Sequence, residues 1–137
     1  MKLFLSIFTS FLLYSTITIA HGTIYIEGVE HEKGFIDVKI YNSKENFLVE
    51  ELAIESIRKK PTIGKTLIPL SKIHEGEIAI VVYHDENNDN KLNTGLFWIP
   101  KEGYAFSNNH TPKGPPSFQK SKVQLIHGEP IYLVLKY

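Results

Sequence analysis

The stretch that decides the fold is Glu77-Ile78-Ala79-Ile80-Val81-Val82-Tyr83. After Glu77 every residue is apolar or aromatic, and most of them are β-branched. Such side chains pack well on the pleated, buried surface of a sheet. The stretch therefore predicts a strand at the centre of a sheet, with the rest of the chain arranged around it.

Shorter strands are predicted on both sides of this one, from the alternation of apolar and polar residues. We expect the first two to form a hairpin that turns before Gly34, and the last two to follow each other across a turn at 127–130. Residues 52–57 fit either one helical turn or a strand, which Pro61 would end. The further predicted strands lie at 23–29, 35–41, 64–70, 122–126 and 131–136.

About seven short strands with regularly spaced turn signals are typical of a β-sandwich or a barrel. No repeat, low-complexity tract or linker interrupts them. We predict a single all-β domain over residues 21–137, an antiparallel Greek-key-type β-sandwich, with a long ordered loop at 84–119.

The first twenty residues have the pattern of a cleavable signal peptide. Lys2 precedes an apolar run at residues 3–14, and small residues follow at Thr18 and Ala20, where signal peptidase cuts. The run is shorter than the roughly 20 residues needed to span a bilayer. The sequence therefore predicts export to the periplasm, the cell envelope or the medium.

Charge and cysteine content exclude several classes of function. The chain has 15 Lys+Arg residues against 15 Asp+Glu residues and contains no cysteine. A nearly neutral chain argues against nucleic-acid binding and against strong attraction to anionic lipid. The absence of cysteine excludes thiol catalysis and cysteine-zinc sites. No apolar stretch after Ala20 is long enough to cross a membrane.

The densest polar cluster in the predicted loop spaces its oxygen-bearing side chains as a calcium-binding loop does. The twelfth place holds Leu96 instead of a bidentate glutamate, so such a site would bind calcium only in the range of about 10⁻⁴–10⁻³ M. The alternative is a series of Asx turns that needs no metal. The predicted ligands are the side chains of Asp85, Asn87, Asp89 and Asn93 and the backbone carbonyl of Lys91.

A second cluster combines aromatic rings with side-chain amides, a composition that ligand-binding surfaces use. Its predicted ligand-binding residues are Tyr104, Phe106, Asn108 and Asn109, and the expected partner is a glycan or a protein at the cell envelope. The alternative is that these aromatics, together with Trp98 and Phe118, pin the loop onto the end of the sandwich.

Two alternatives involve other chemistry. Cleavage after Ala20 would make His21 the first residue, and its amine and imidazole could bind copper with a second histidine such as His84 or His110. A hydrolase with its site on the long loop is the third hypothesis. Against catalysis, no histidine pair has the spacing of a zinc protease, and Ser107 and Ser117 lack the context of a nucleophile.

Residues 83–94, 99–109 and 114–118 form three motifs in a fixed order. Together they resemble the hallmark region of an uncharacterised family of exported bacterial proteins, domain of unknown function 2141, and residues 34–41 resemble the family's first hairpin. The resemblance implies a signal peptide followed by a transthyretin-like or related β-sandwich, and it implies no known activity. The family pattern commonly has aspartate where this chain has Asn93, which removes one charge from the loop.

The function predicted from the sequence is that of an exported, non-catalytic binding or structural module. Its polar loop is organised with or without calcium, and no cofactor is expected besides that ion.

Overall fold

A computed structural model describes residues 22–137, which form eight strands and several single helical turns. The predicted signal peptide and His21 lie outside the described residues. The strands are β1 (Gly22–Val29), β2 (Phe35–Tyr41), β3 (Glu55–Lys59), β4 (Gly64–Leu70), β5 (Gly76–Asp85), β6 (Tyr104–Phe106), β7 (Lys122–Leu125) and β8 (Pro130–Val134). The helical turns are α1 (Phe118–Ser121) and three 3₁₀ turns at Glu50–Leu52, Leu96–Trp98 and Ser107–Asn109. Within residues 22–137, no helix has the length and apolar character needed to cross a membrane.

The strands form two sheets, and the predicted β-sandwich is confirmed. One sheet has the order β4-β1-β8, and the other has the order β3-β2-β5-β6 with β7 also paired to β5. The expected central position of β5 is confirmed as well, because β5 pairs with β2 on one edge and with β6 and β7 in succession on the other.

The main core lies between the two sheets and follows the period-2 alternation of strands. From β5 it receives Ile78, Ile80 and Val82, which meet Ile24 and Ile26 of β1. A second apolar cluster covers the outer face of the five-stranded sheet. Its buried members are Tyr41, Ala79, Val81, Phe106 and Phe118, with Phe47 and Leu48 packed against them.

The expected hairpin of the first two strands is wrong. β1 pairs with β4 and β8, whereas β2 pairs with β3 and β5, so the two strands lie in different sheets. The last two strands are likewise divided, with β7 on β5 and β8 on β1. Apolar alternation shows only that each strand buries one face. Two successive strands can bury that face either as a hairpin in one sheet or in two facing sheets about 10 Å apart.

The sandwich is also not wholly antiparallel. β1 and β8 run parallel, with the register running from Thr23 opposite Pro130 to Glu27 opposite Val134.

Residues 52–57 combine the two alternatives considered for them, since a 3₁₀ turn ends at Leu52 and β3 begins at Glu55. The segment predicted as one loop at 84–119 contains the end of β5, the start of α1 and all of β6, whose three residues are too few to show a pattern.

Gly34→Ala should destabilise the protein more than Gly64→Ala. Both glycines have positive φ, +72° and +82°, so alanine is strained at either position by about 1–2 kcal/mol. At Gly34 the new Cβ would also lie 2.0 Å from the carbonyl oxygen of Asp85, whereas nothing lies within 4 Å at Gly64. Urea unfolding should show a loss at least about 1 kcal/mol larger for Gly34→Ala. Equal losses would contradict a structural role for this close approach.

Candidate functional site

The end of β5 places two neighbouring polar residues on opposite faces of the five-stranded sheet. Val82 belongs to the cluster between the sheets and Val81 to the cluster on the outer face. By the same alternation His84 lies at the end of the inner core and Asp85 on the outer side. Both side chains are fully buried. The predicted calcium loop therefore begins on the outer face, and a separate histidine cluster lies at the end of the inner core.

Protein donors surround the carboxylate of Asp85. Its Oδ2 accepts hydrogen bonds from Arg58 Nη2 (2.8 Å) and from the backbone N–H of Asn90 (2.9 Å). Its Oδ1 accepts from the N–H of Asp89 (3.1 Å). Arg58 also pairs with Asp37. Burial raises the pKa of Asp37 to about 6, although the nearby Arg58 guanidinium opposes that rise.

The loop that follows is a chain of Asx turns. Asn87 Oδ1 accepts from the N–H of Asp89 (3.0 Å), and Asp89 Oδ1 accepts from the N–H of Lys91 (2.9 Å). Asn93 Nδ2 donates to Asp89 Oδ2 (2.9 Å), and this hydrogen bond is the main reason that the pKa of Asp89 lies below its ordinary value. Asn90, in the sixth place, has a φ of 64°, the left-handed conformation that usually favours glycine there.

Glu102 closes this loop, and the sequence reasoning missed it. Its carboxylate is buried and accepts from the N–H of Glu86 (3.2 Å) through Oε1 and from Asn93 Nδ2 (3.2 Å) through Oε2. Glu102 comes near Asn93 because residues 93–101 fold back on themselves, with the N–H of Lys101 donating to the carbonyl of Asn93 (2.8 Å). The spacing of ligands along a calcium loop contains no signal for such a residue.

Where residues 93–101 turn back, the four apolar residues 96–99 are exposed to solvent, and we call them the apolar tip. Leu96 is 83% exposed and Phe97 is 81% exposed, and Trp98 and Ile99 are also exposed. The tip is held by a hydrogen bond from the N–H of Gly95 to the carbonyl of Ile99 (2.7 Å). Runs of exposed apolar residues are unusual on soluble surfaces and mark interaction sites.

Beside the tip lies a cleft of about 500 Å³ on the outer face of the five-stranded sheet, which we call the outer cleft. Tyr41, Val81, Tyr83 and Phe106 from the sheet strands line it. The segment after β2 contributes Leu48 and Glu50, and the Asx-turn loop contributes residues 89–92. Trp98 and three prolines, Pro100, Pro112 and Pro116, also line it, together with Lys39, Glu51 and Thr94.

The structure brings three of the four residues of the predicted ligand-binding surface together and directs Asn108 elsewhere. Phe106 is buried in the outer apolar cluster, and Tyr104 packs against it edge to face with ring centroids 6.1 Å apart. Tyr104, Phe106 and Asn109 border a small pocket of about 30 Å³. Asn108 Nδ2 instead donates to the carbonyl of Lys120 (3.1 Å). The role of the four residues in binding a ligand stays a prediction.

At the inner end of β5, His84 forms a hydrogen-bonded cluster with the turn before β2. Its Nε2–H donates to the carbonyl of Lys33 (2.6 Å), so Nδ1 carries the lone pair and accepts from the hydroxyl of Tyr137 (2.7 Å). Burial lowers the pKa of His84 and favours this neutral form. The ring of His31 lies nearby, tilted by 38° to that of His84 with the centroids 4.5 Å apart, and its Nε2 lies 3.4 Å from Glu86 Oε2.

The described residues do not test the copper and hydrolase hypotheses. His21 lies outside the described residues. Of its two suggested partners, His84 is hydrogen-bonded through both ring nitrogens, whereas Nε2 of His110 is buried without a hydrogen-bond partner among residues 22–137. Ser107 is fully buried, where its hydroxyl accepts from the N–H of Ile80 (2.8 Å) and donates to the carbonyl of Ser121. This hydroxyl fills the gap between β6 and β7 along the edge of β5. Both hypotheses stay predictions.

Residues 24–131 match the family described as "Uncharacterized protein conserved in bacteria (DUF2141)". The chain belongs to this family. The resemblance inferred from the sequence motifs is thereby confirmed, while the transthyretin-like relationship stays a prediction. No curated protein and no solved structure matches the chain.

In this DUF2141 protein, Arg58→Met should destabilise the fold, because it leaves two buried carboxylates, Asp37 and Asp85, without their cation. The guanidinium side chain is 28% exposed, so we expect a loss of about 2–3 kcal/mol, below the roughly 3–5 kcal/mol of a fully buried pair. Chemical denaturation measures this loss. The control is Lys65→Met, which removes an exposed pair with Glu27 and should leave stability nearly unchanged. Equal effects of the two variants would contradict the anchoring role of Arg58.

Proposed function

We propose that this chain is an exported, non-catalytic binding module that holds its ligand in the outer cleft. The volume of the cleft, about 500 Å³, lies within the range of small-ligand sites. The cleft is the observation that carries the proposal, because it combines an aromatic floor with a polar rim in one concave surface. Export is part of the proposal and rests on the signal-peptide pattern of residues 1–20.

The chemistry of the lining favours a carbohydrate as the ligand. Trp98 and the prolines offer flat apolar surfaces, which suit the apolar faces of sugar rings. Around them lie groups that pair with hydroxyls, including the carboxylates of Glu50 and Asp89 and the ammonium groups of Lys39 and Lys91. With Glu51, which also lines the cleft, three carboxylates face two ammonium groups, so the formal net charge is about −1 and the cleft suits a polar ligand that is not anionic.

An array of oligosaccharides tests this proposal, with hits titrated against the full chain. Trp98 is the sole tryptophan, so its fluorescence reports directly on occupation of the cleft. Trp98→Ala should weaken the affinity measured by calorimetry about three- to tenfold, because one ring contact is lost.

Tyr132→Ala is the matched control, because Tyr132 is an exposed aromatic residue on the other sheet and should not affect binding. Tyr104→Ala tests the surface predicted from the sequence in the same way. An array without hits, or a Trp98→Ala variant with unchanged affinity, would contradict the carbohydrate proposal.

We propose calcium binding by the Asx-turn loop as a second candidate function, favoured by the left-handed conformation of Asn90 and by the closeness of Asn87 and Asn93 to Asp89. Their amide nitrogens now donate to Asp89, and to bind calcium both amides would turn their oxygens toward the ion. Residues 89–92 form one wall of the outer cleft. Calcium bound here would therefore hold the wall of the ligand site, and an exported protein meets calcium concentrations at which even a weak site fills.

Calcium should raise the melting temperature of the protein. At about 10 mM calcium, roughly ten times the dissociation constant expected for such a site or more, the rise should be several degrees. Asp89→Ala should abolish this shift, while Glu129→Ala, which removes an exposed acid from the turn before β8, should preserve it. A melting temperature that is the same with calcium and with chelator would contradict a structural calcium site.

A further inference from the structure

We propose that His31, His84 and Glu86 form a binding site for a transition-metal cation of the Zn²⁺ class. One ligand atom from each residue lies within 4.8 Å of the other two. Within residues 22–137 this is the group of three histidine and carboxylate side chains that converges in this way. It lies at the end of the inner core, on the opposite side of the sheet from the outer cleft, and does not depend on the function proposed for the cleft.

The spacing of His31 and Glu86 fits two ligands of one metal ion. Their closest ligand atoms, Nε2 and Oε2, are 3.4 Å apart. Zinc bonds of about 2.0–2.1 Å in tetrahedral geometry separate two ligand atoms by roughly the same distance. In addition, Nδ1 of His31 is buried and has no hydrogen-bond partner among the described residues. A buried ring nitrogen without a partner is uncommon, and the carboxylate of Glu86 beside Nε2 is the polar contact that this ring makes among the described residues.

His84 is oriented as metal-binding histidines are. Such residues usually donate one ring N–H to a carbonyl or carboxylate, which fixes the tautomer and directs the other nitrogen at the metal. Here the carbonyl of Lys33 takes Nε2–H at 2.6 Å, and the lone pair of Nδ1 faces the hydroxyl of Tyr137. Tyr137 is half exposed, so its side chain can swing outward and leave that lone pair to the metal.

The segments that carry the three residues are fixed relative to each other. Gly34 packs directly on the carbonyl of Asp85, which holds the turn of His31 against the end of β5. Glu102 binds the backbone N–H of Glu86. The ligands are therefore largely preorganised, and closing the site requires movements of side chains only.

The types of ligand atom in this cluster determine which class of metal ion it would bind. Two imidazoles and one carboxylate suit Zn²⁺ and its neighbours Co²⁺, Ni²⁺ and Cu²⁺, whereas calcium and magnesium prefer oxygen ligands alone. Three protein ligands leave one position of a tetrahedral ion for water.

Titration of the chelator-treated full chain with Zn²⁺ and Co²⁺ tests the proposal. We expect one equivalent of Zn²⁺ to bind in calorimetry and to raise the melting temperature, and Co²⁺ to show the intense visible bands of four-coordinate geometry. His31→Gln and Glu86→Gln should each weaken Zn²⁺ binding at least roughly tenfold. Both residues are only partly buried, so the two variants give independent folded tests.

His74→Gln is the matched control, because His74 lies outside the cluster and its loss should leave Zn²⁺ affinity unchanged. Binding that keeps its full affinity in both His31→Gln and Glu86→Gln would place the metal elsewhere, for example at His21, and would overturn the proposal. The absence of any Zn²⁺ binding by the parent chain would overturn it as well.

Discussion

The buried carboxylate of Asp85 joins the five-stranded sheet to the loop that leaves it. Arg58 on β3 binds this carboxylate from the side of the sheet, and the N–H groups of Asp89 and Asn90 bind it from the side of the loop. A buried carboxylate is costly unless it is paired and hydrogen-bonded, so each of these donors is needed. The carboxylate of Asp85 therefore fixes the position of both the end of β5 and the start of the loop.

This arrangement changes the interpretation of the calcium pattern. Asp85, the first predicted calcium ligand, is paired with Arg58, which offsets part of its negative charge. A cation would therefore meet a less negative site than the residue types alone suggest. At the later positions the amide N–H groups of Asn87 and Asn93 both donate to the carboxylate of Asp89 and hold it in place. The loop is thus ordered by its own hydrogen bonds, and calcium would strengthen an existing conformation.

Several features were predictable because they depend on neighbours in the sequence. The central strand β5 follows from its apolar run, and the turns of the loop follow from the spacing of Asp and Asn. The sheet assignment of β1 and β2 was not predictable, since alternation identifies a buried face but not the strand that covers it. Glu102 and the cluster of His31 with His84 were missed for the same reason, because their partners come from distant parts of the chain.

The period-2 geometry of β5 explains why the two candidate sites can coexist. Consecutive residues of a strand point to opposite faces, so His84 serves the inner end of the sandwich while Asp85 serves the outer cleft. The sheet separates the two side chains, but they share one stretch of backbone, against which Gly34 packs directly. Since closing the metal site requires movements of side chains only, a cation bound at His84 would leave this backbone and the carboxylate of Asp85 in place. The two sites thus share one backbone support, held by Gly34, and can be occupied independently of each other.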